Sequence, residues 1–274
     1  MIKTVSNSVF ASGLKSPEGP SFDRHGVLYF VDWDAKDVYR VQPDGTRSVF
    51  VNTGGMPTGS KFHQNGHLFV ADGDLGILDI SPLGETRVAA EGYDGKKFRG
   101  PNDLVFAPNG DLYFSDPRDS DPEHPVGNLF IMRSSGKVEL FAGGFQFPNG
   151  VVFSDDGRTL YMAETYPNHI LAFELDLDGY EISRRVFARL EGGVGPDGMA
   201  FGKDENLYVA HFGKGVVAVI APSGSVIHEL EVGGINPTNV AFWKTSLYVT
   251  EVNDGKVVRL DVGVEGQDLF GLMA

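Results

Sequence analysis

The chain has 274 residues, 41% hydrophobic and 22% charged, with 23 basic against 37 acidic side chains and a formal charge of −14. That balance supports a sizeable core, and with no basic run to neutralise phosphates it excludes nucleic acid as a partner. The absence of cysteine removes disulfides, thiolate nucleophiles and thiolate metal sites together.

Residues 1–7 lack the apolar core of a signal peptide, and no apolar run reaches the length of a membrane span. The expectation is a soluble cytoplasmic protein with no membrane partner, a monomer or weak homo-oligomer. From Pro17 onward one phrase repeats: a proline, a variable residue, a short apolar stretch ending in Phe, a polar turn, then Leu-Tyr or a close variant. Its six copies begin at Pro17, Pro57, Pro101, Pro148, Pro196 and Pro237, spaced 40, 44, 47, 48 and 41 residues apart. A period of that size means stacked supersecondary units.

Each unit reads as four short strands around turn signals. In the first, residues 38–41 and 47–51 flank Pro43-Asp44-Gly45. The third runs through residues 104–106, the turn Pro108-Asn109-Gly110 and residues 112–115, then through 127–133 and 137–142 around Ser134-Ser135-Gly136. The fourth has residues 170–175 and 183–190 around residues 176–179. Sustained helical periodicity is missing throughout. The fold expected is all-β: one domain, residues 1–274, a six-bladed β-propeller with four antiparallel strands per blade. Residues 7–11 echo the outermost strand at residues 48–51, so the N-terminal strand is expected to close the ring. Residues 263–274 are then left over, with Asp268-Leu269-Phe270 as the alternative closing segment.

In a propeller the innermost strands ring a central channel. The second position of each phrase therefore converges at one end of it: Glu18, Thr58, Asn102, Asn149, Asp197 and Thr238. Carboxylates facing one another there repel unless a cation or proton sits between them. Oxygen donors without sulfur or imidazole suit a hard ion such as Ca²⁺, Mg²⁺ or Mn²⁺. Pro-Asn-Gly and Pro-Asp-Gly are also ordinary turns, yet a turn does not account for Glu18 at the same phase. Thr58 and Thr238 are read as shaping the pocket. The ends of the second strands, Asp32, Asp72, Asp116, Glu164, His211 and Glu251, rim the same mouth and are read mainly as repeat-wide structural hydrogen bonding. Trp33, Tyr166 and Phe212 follow them as candidate pocket walls. Arg99 enters the mouth before Asn102, and residues 117–125 would hang over it as a lid or specificity loop. Gly193–Gly198 fits GxGxxG but has a proline inside and no following helix, so a dinucleotide site is rejected. Neither a GxSxG elbow nor an HExxH motif occurs.

The stretches Ser16-Pro17-Glu18-Gly19-Pro20, Arg99-Gly100-Pro101-Asn102-Asp103, residues 147–153, Gly195-Pro196-Asp197-Gly198-Met199 and Asn236-Pro237-Thr238-Asn239-Val240 resemble blade signatures of the senescence marker protein/gluconolactonase/luciferin-regenerating family. The resemblance covers nearly the whole chain. It implies one divalent cation held by Glu18, Asn149 and Asp197, with Ca²⁺ expected first and Zn²⁺, Mn²⁺ or Mg²⁺ as alternatives. It further implies that Asp197 doubles as catalytic acid/base and that Asn102 touches substrate, with Arg99 near a substrate-binding position. The function expected is opening of small lactones such as aldonolactones by metal-activated water. The alternatives are phosphotriester hydrolysis on the same site, as in diisopropyl-fluorophosphatase-like members, and a non-catalytic binding propeller with a structural ion.

Overall fold

The computed structural model describes residues 6–272. They form six four-stranded antiparallel sheets arranged as a six-bladed β-propeller, plus a two-stranded hairpin of Gly92–Tyr93 with Lys96–Lys97 ahead of blade three. The innermost strands are Pro17–Phe22, Pro57–Phe62, Leu104–Phe106, Pro148–Phe153, Gly195–Phe201 and Pro237–Trp243. Blade six is completed by the N-terminal strand Ser6–Ser12, which pairs antiparallel with Lys256–Asp261 in the register Ser6↔Asp261 to Ser12↔Lys256. This is the expected closure, and Asp268-Leu269-Phe270 does not take that edge. The tail crosses the base of the ring instead: Gly266 bridges to Gly202, and a single 3₁₀ turn spans Phe270–Leu272.

Burial follows from the architecture. Each blade packs both faces against its neighbours, so middle strands read as continuous apolar runs: Leu207–Phe212 and Val216–Ile220 are buried almost throughout. Outermost strands have one face in solvent, and Arg47–Asn52 is exposed or half-buried along its length. The core is a series of inter-blade layers. Between blades three and four, Tyr113 sets its edge on Phe153 at 5.2 Å and donates its hydroxyl to the Gly179 carbonyl at 2.7 Å. That arrangement buries a large ring and satisfies its polar end at once.

Two features of the innermost strands position the mouth of the channel. Pairing with the second strand slips just where the phrase begins, between Glu18 and Ser21, Pro57 and Gly59, Pro148 and Val151, Pro196 and Met199, and Pro237 and Asn239. A bulge re-aims side chains out of the ladder, and it does so here at the residues following each proline. The glycine after the variable residue then admits the next blade: a Cβ on Gly150 would collide with the Asp197 carbonyl, and one on Gly59 with the Asn102 carbonyl.

Candidate active site

The rim residues act as clamps. Asp32 accepts the Lys15 and Ser16 amides at 2.8 and 3.0 Å, and Asp72 accepts Met56 at 2.8 Å. Asp116 takes Arg99 and Gly100, Glu164 takes Gln146, and Glu251 takes Asn236. In each case the carboxylate of a second strand fixes the loop leading into its own innermost strand, setting the angle at which the proline phrase enters the channel. Blade five departs from the pattern, because His211 uses Nε2 on the Gly192 carbonyl at 2.9 Å. Burial, then Lys214, push the His211 pKa down, favouring the neutral ring.

Threonines lock blade to blade beneath this rim. Thr58 Oγ1 donates to the Pro101 carbonyl at 2.9 Å and Thr238 Oγ1 to that of Pro17 at 3.1 Å. Thr165 Oγ1 reaches the Pro196 carbonyl at 2.8 Å. Two of the six second-position residues thus hold the ring together with their hydroxyls, and the other four present oxygen to the channel.

Those four meet. Glu18 is 3% exposed; its Oε1 accepts Asn239 Nδ2 at 3.2 Å, and its Oε2 has no partner. Asn149 is likewise 3% exposed; its Nδ2 contacts Thr165 Oγ1 at 3.3 Å and its Oδ1 has no partner. Asn102 Oδ1 is a third buried oxygen without a partner. The Asn149 side chain favours the charged form of the Asp197 carboxyl, and Asp197 in turn raises the pKa of Glu18. For both carboxyls desolvation is the leading cause of an upward shift, with the nearby charge of Asp103 adding to it. As whole residues Asp197 and Asn102 are half-buried while Glu18 and Asn149 are buried, although the Asp197 carboxyl is desolvated.

Three residues to which the sequence assigned no chemical role border the cluster. Asp103 is 1% exposed and accepts the Leu104 amide at 2.9 Å and the Val151 amide at 3.3 Å, so it belongs to the structure while charging the site. Lys61 lies 3.9 Å from Asp103, and Asn239 orients Glu18. For Asp103 and Asn239 the signal was present in the phrases themselves, one position beyond the variable residue in blades three and six, while Lys61 lies three positions beyond Thr58 in blade two.

The arginine side of the mouth is divided. Arg99 is exposed and sits 3.8 Å from Asp119. Arg118, from the 117–125 loop, packs over Gly73 and Gly100, where a Cβ on either glycine would press on its guanidinium, and it pairs with Asp74 at 3.0 Å. Ser120 ties that loop to the Phe145 carbonyl and the Phe147 amide. The segment is therefore a fixed buttress joining blades two, three and four. Of the candidate wall aromatics, Tyr166 is exposed and packs edge-on to Phe147 at 5.5 Å, while Trp33 and Phe212 are half-buried.

The donor set can be tested against a cation. Among the described residues no group of three or more His, Cys, Asp or Glu side chains is arranged to hold a metal. Here the oxygens come from two carboxylates and two amides, and three of them are buried without a hydrogen-bond partner. Such atoms are costly unless something positive meets them. The residues fit a hard divalent ion. A cavity of about 530 Å³ also opens on the channel, but at the opposite end, around Phe22 and Trp243. Lys61, 3.9 Å from Asp103, lines this cavity and also borders the cluster.

Residues 16–253 match the family described as SMP-30/gluconolactonase/LRE-like region. A gluconolactonase of Zymomonas mobilis is 30% identical over 253 residues, covering 80% of this chain and 70% of its own. The diisopropyl-fluorophosphatase of Loligo vulgaris is 28% identical, over 76% of this chain and 75% of its own. In structure, a calcium-binding regucalcin from Agrobacterium tumefaciens superposes with a TM-score of 0.85 at 22% identity, covering 96% of both chains, a likeness of fold. With a match across most of its length and the same ring of blades, this chain belongs to the SMP-30/gluconolactonase/LRE-like family.

Proposed function

We propose that the protein is a metal-dependent lactonase that hydrolyses small cyclic esters of the aldonolactone type at the Glu18 end of the channel. The observation that carries this reading is the set of three unpartnered buried oxygens, on Glu18, Asn102 and Asn149, beside the desolvated Asp197 carboxyl. Glu18, Asn149 and Asp197 would hold one divalent cation, Ca²⁺ first, with Zn²⁺, Mn²⁺ or Mg²⁺ able to use the same oxygens. When bound, the cation supplies positive charge against the negative charge that develops on the lactone carbonyl oxygen.

The chain's own groups do the rest. Asp197 accepts a proton from water as the water oxygen adds to the carbonyl carbon, and returns it to the ring oxygen as the acyl C–O bond breaks. The product is an open hydroxy acid, and no protein nucleophile is required. Asn149 opposes the upward shift that burial imposes on Asp197 and so favours its charged, proton-accepting form. Asn102, on the exposed side, orients the substrate through its amide. Arg99 and Arg118 give this side of the mouth two cations suited to a carboxylate product. A zinc, calcium, manganese and magnesium series on chelator-stripped protein, assayed by acid release from a lactone panel, tests the reading. Metal-restored opening of at least one lactone is expected; no turnover with any metal would end it. The fluorophosphatase relative motivates a second reading on the same oxygens, and fluoride release from a fluorophosphate in the same preparations decides between the two.

A further inference from the structure

The cavity at the Phe22 end has no part in this chemistry, yet it is built like a binding site. At about 530 Å³ it falls within the roughly 300–1,000 Å³ range of small-molecule pockets. Its walls are contributed blade by blade from the innermost strands, with Phe22, Val105, Val152, Met199 and Val240 all nearly or wholly buried. Trp243 stacks on Phe22 at 5.3 Å to form one side.

Two donors interrupt the apolar lining. Ser21 is 3% exposed and its Oγ has no hydrogen-bond partner. The Lys61 side chain is 13% exposed, and its ion-pair partner Asp103 stands at 3.9 Å, beyond hydrogen-bond distance. A buried hydroxyl without a partner, and a half-buried ammonium whose ion-pair partner is 3.9 Å away, can both donate to an acceptor. At the rim, Lys203 is already engaged by Glu265 and Asp268 at 3.6 and 3.4 Å, and Arg24 donates to the Gln64 carbonyl. Lys244 is exposed, so among the described residues of the lining Lys61 is the cation of the interior. The tail straps the opening without filling it: Gln267 donates its amide to the Phe201 carbonyl at 2.9 Å and its side chain to the Phe153 carbonyl at 3.2 Å.

We propose that this cavity is a second ligand site, taking a monocarboxylate with an apolar body, its head group on Lys61 and Ser21 and its hydrocarbon among Val152, Met199 and Val240. The ammonium can only donate and the hydroxyl can donate beside it, so an acceptor satisfies both. The single interior ammonium selects one negative charge, and the walls reward an unbranched or aromatic apolar body.

Decanoate is the probe, with decanol and decylamine as neutral and cationic controls. Trp33→Phe leaves Trp243 as the only tryptophan, so its fluorescence reads this cavity, and calorimetry on the unaltered chain gives stoichiometry. The expectation is saturable binding of one decanoate per chain, with decanol at least about tenfold weaker and decylamine weaker still. Lys61→Met should cost about tenfold or more, and Ser21→Ala a smaller factor in the same direction. Met199→Trp, which fills the space, should abolish binding while circular dichroism stays unchanged. Equal affinities for decanoate and decanol, an unchanged affinity in Lys61→Met or Met199→Trp, or no saturable signal by either method would each overturn the proposal. If Lys61→Met fails to fold, the decanol comparison and Met199→Trp decide.

Discussion

The two ends of the channel are made from the same six strands, yet one is polar and strained and the other apolar and relaxed. At the Glu18 end, five of the six innermost strands slip register, glycines bring neighbouring blades into backbone contact, and buried oxygens stand without partners. At the Phe22 end the same strands run in regular register, for example Ser21↔Tyr29 and Phe22↔Leu28, and bury side chains around an open space. The contrast teaches that the repeat carries two instructions a few residues apart. The bulge turns the second position into the channel, and regular pleating after it returns side chains to the core. Three of the unmet oxygens, on Glu18, Asn102 and Asn149, are held where clamps and threonine latches overdetermine the backbone, while another, Ser21 Oγ, belongs to the cavity lining.

The largest break in this comparison comes from Asp197→Asn. It keeps an oxygen and the shape but removes the proton acceptor, and lactone kcat should fall about 10²–10⁴-fold. Thermal unfolding of the stripped protein should not suffer, because the variant removes a charge that burial opposes. Kinetics together with a melting curve check both halves. A variant retaining near-normal turnover would remove Asp197 from the chemistry.

The second effect is on pH and stability. Glu18 and Asp197 have folded pKa values raised above their ordinary ones, by burial first and by neighbouring acidic charge second. A carboxyl with a raised folded pKa binds its proton more tightly folded than unfolded. Stability is then full below the unfolded carboxylate range and falls as pH rises through the folded value. Stripped protein should accordingly lose melting temperature as pH rises above about 4, the unfolded carboxylate range. Glu18→Gln should flatten that slope, and saturating Ca²⁺ should raise the melting temperature more at pH 8 than at pH 5. A Ca²⁺ stabilisation independent of pH would separate the ion from these carboxyls.

The ring of six blades was legible because its signal is periodic: proline, glycine turn and Leu-Tyr recur often enough that no single misread residue matters. Strand edges were less so. Residues 137–142 were expected as the outer strand of blade three, while the strand runs Val138–Phe145, extended past Gly143-Gly144 by a bulge against Gly127. In the site, Glu18, Asn102, Asn149 and Asp197 were singled out by phase alone, and three of them carry buried oxygens without partners. Asp103, Lys61 and Asn239 were not, because their contacts run between blades and depend on which way a bulge turns a side chain. Arg118 was hidden for a similar reason. It lies in an irregular loop, and its place over Gly73 and Gly100 depends on two residues without side chains in separate blades.

The clamps allow a finer cut. Asp116 is buried and holds the Arg99 and Gly100 amides ahead of Asn102. Asp116→Ala leaves those donors unmet at about 1–3 kcal/mol. It should loosen Asn102 without touching Glu18, so KM for lactone should rise more than kcat falls. Equal losses in both would mean that the clamp supports the whole site rather than its substrate side.

The smallest effect sharpens the comparison from the relaxed end. The turns joining innermost to second strands need one residue in the left-handed region: Gly26, Gly66, Gly110 and Gly157 supply it in blades one to four, at φ of 82°, 84°, 84° and 67°. Blades five and six use Glu205 at 63° and Lys244 at 52°. A side chain there costs about 1–2 kcal/mol, while glycine gives part of that back through its freer unfolded chain. Glu205→Gly should therefore stabilise by less than about 1 kcal/mol, read as a small rise in denaturation midpoint at constant slope. Activity should not move, since the turn closes the hairpin at the Phe201 end, far along the strand from Asp197. A change in kcat from this substitution would mean that the two ends communicate through the strand, and the separation drawn between them would fail.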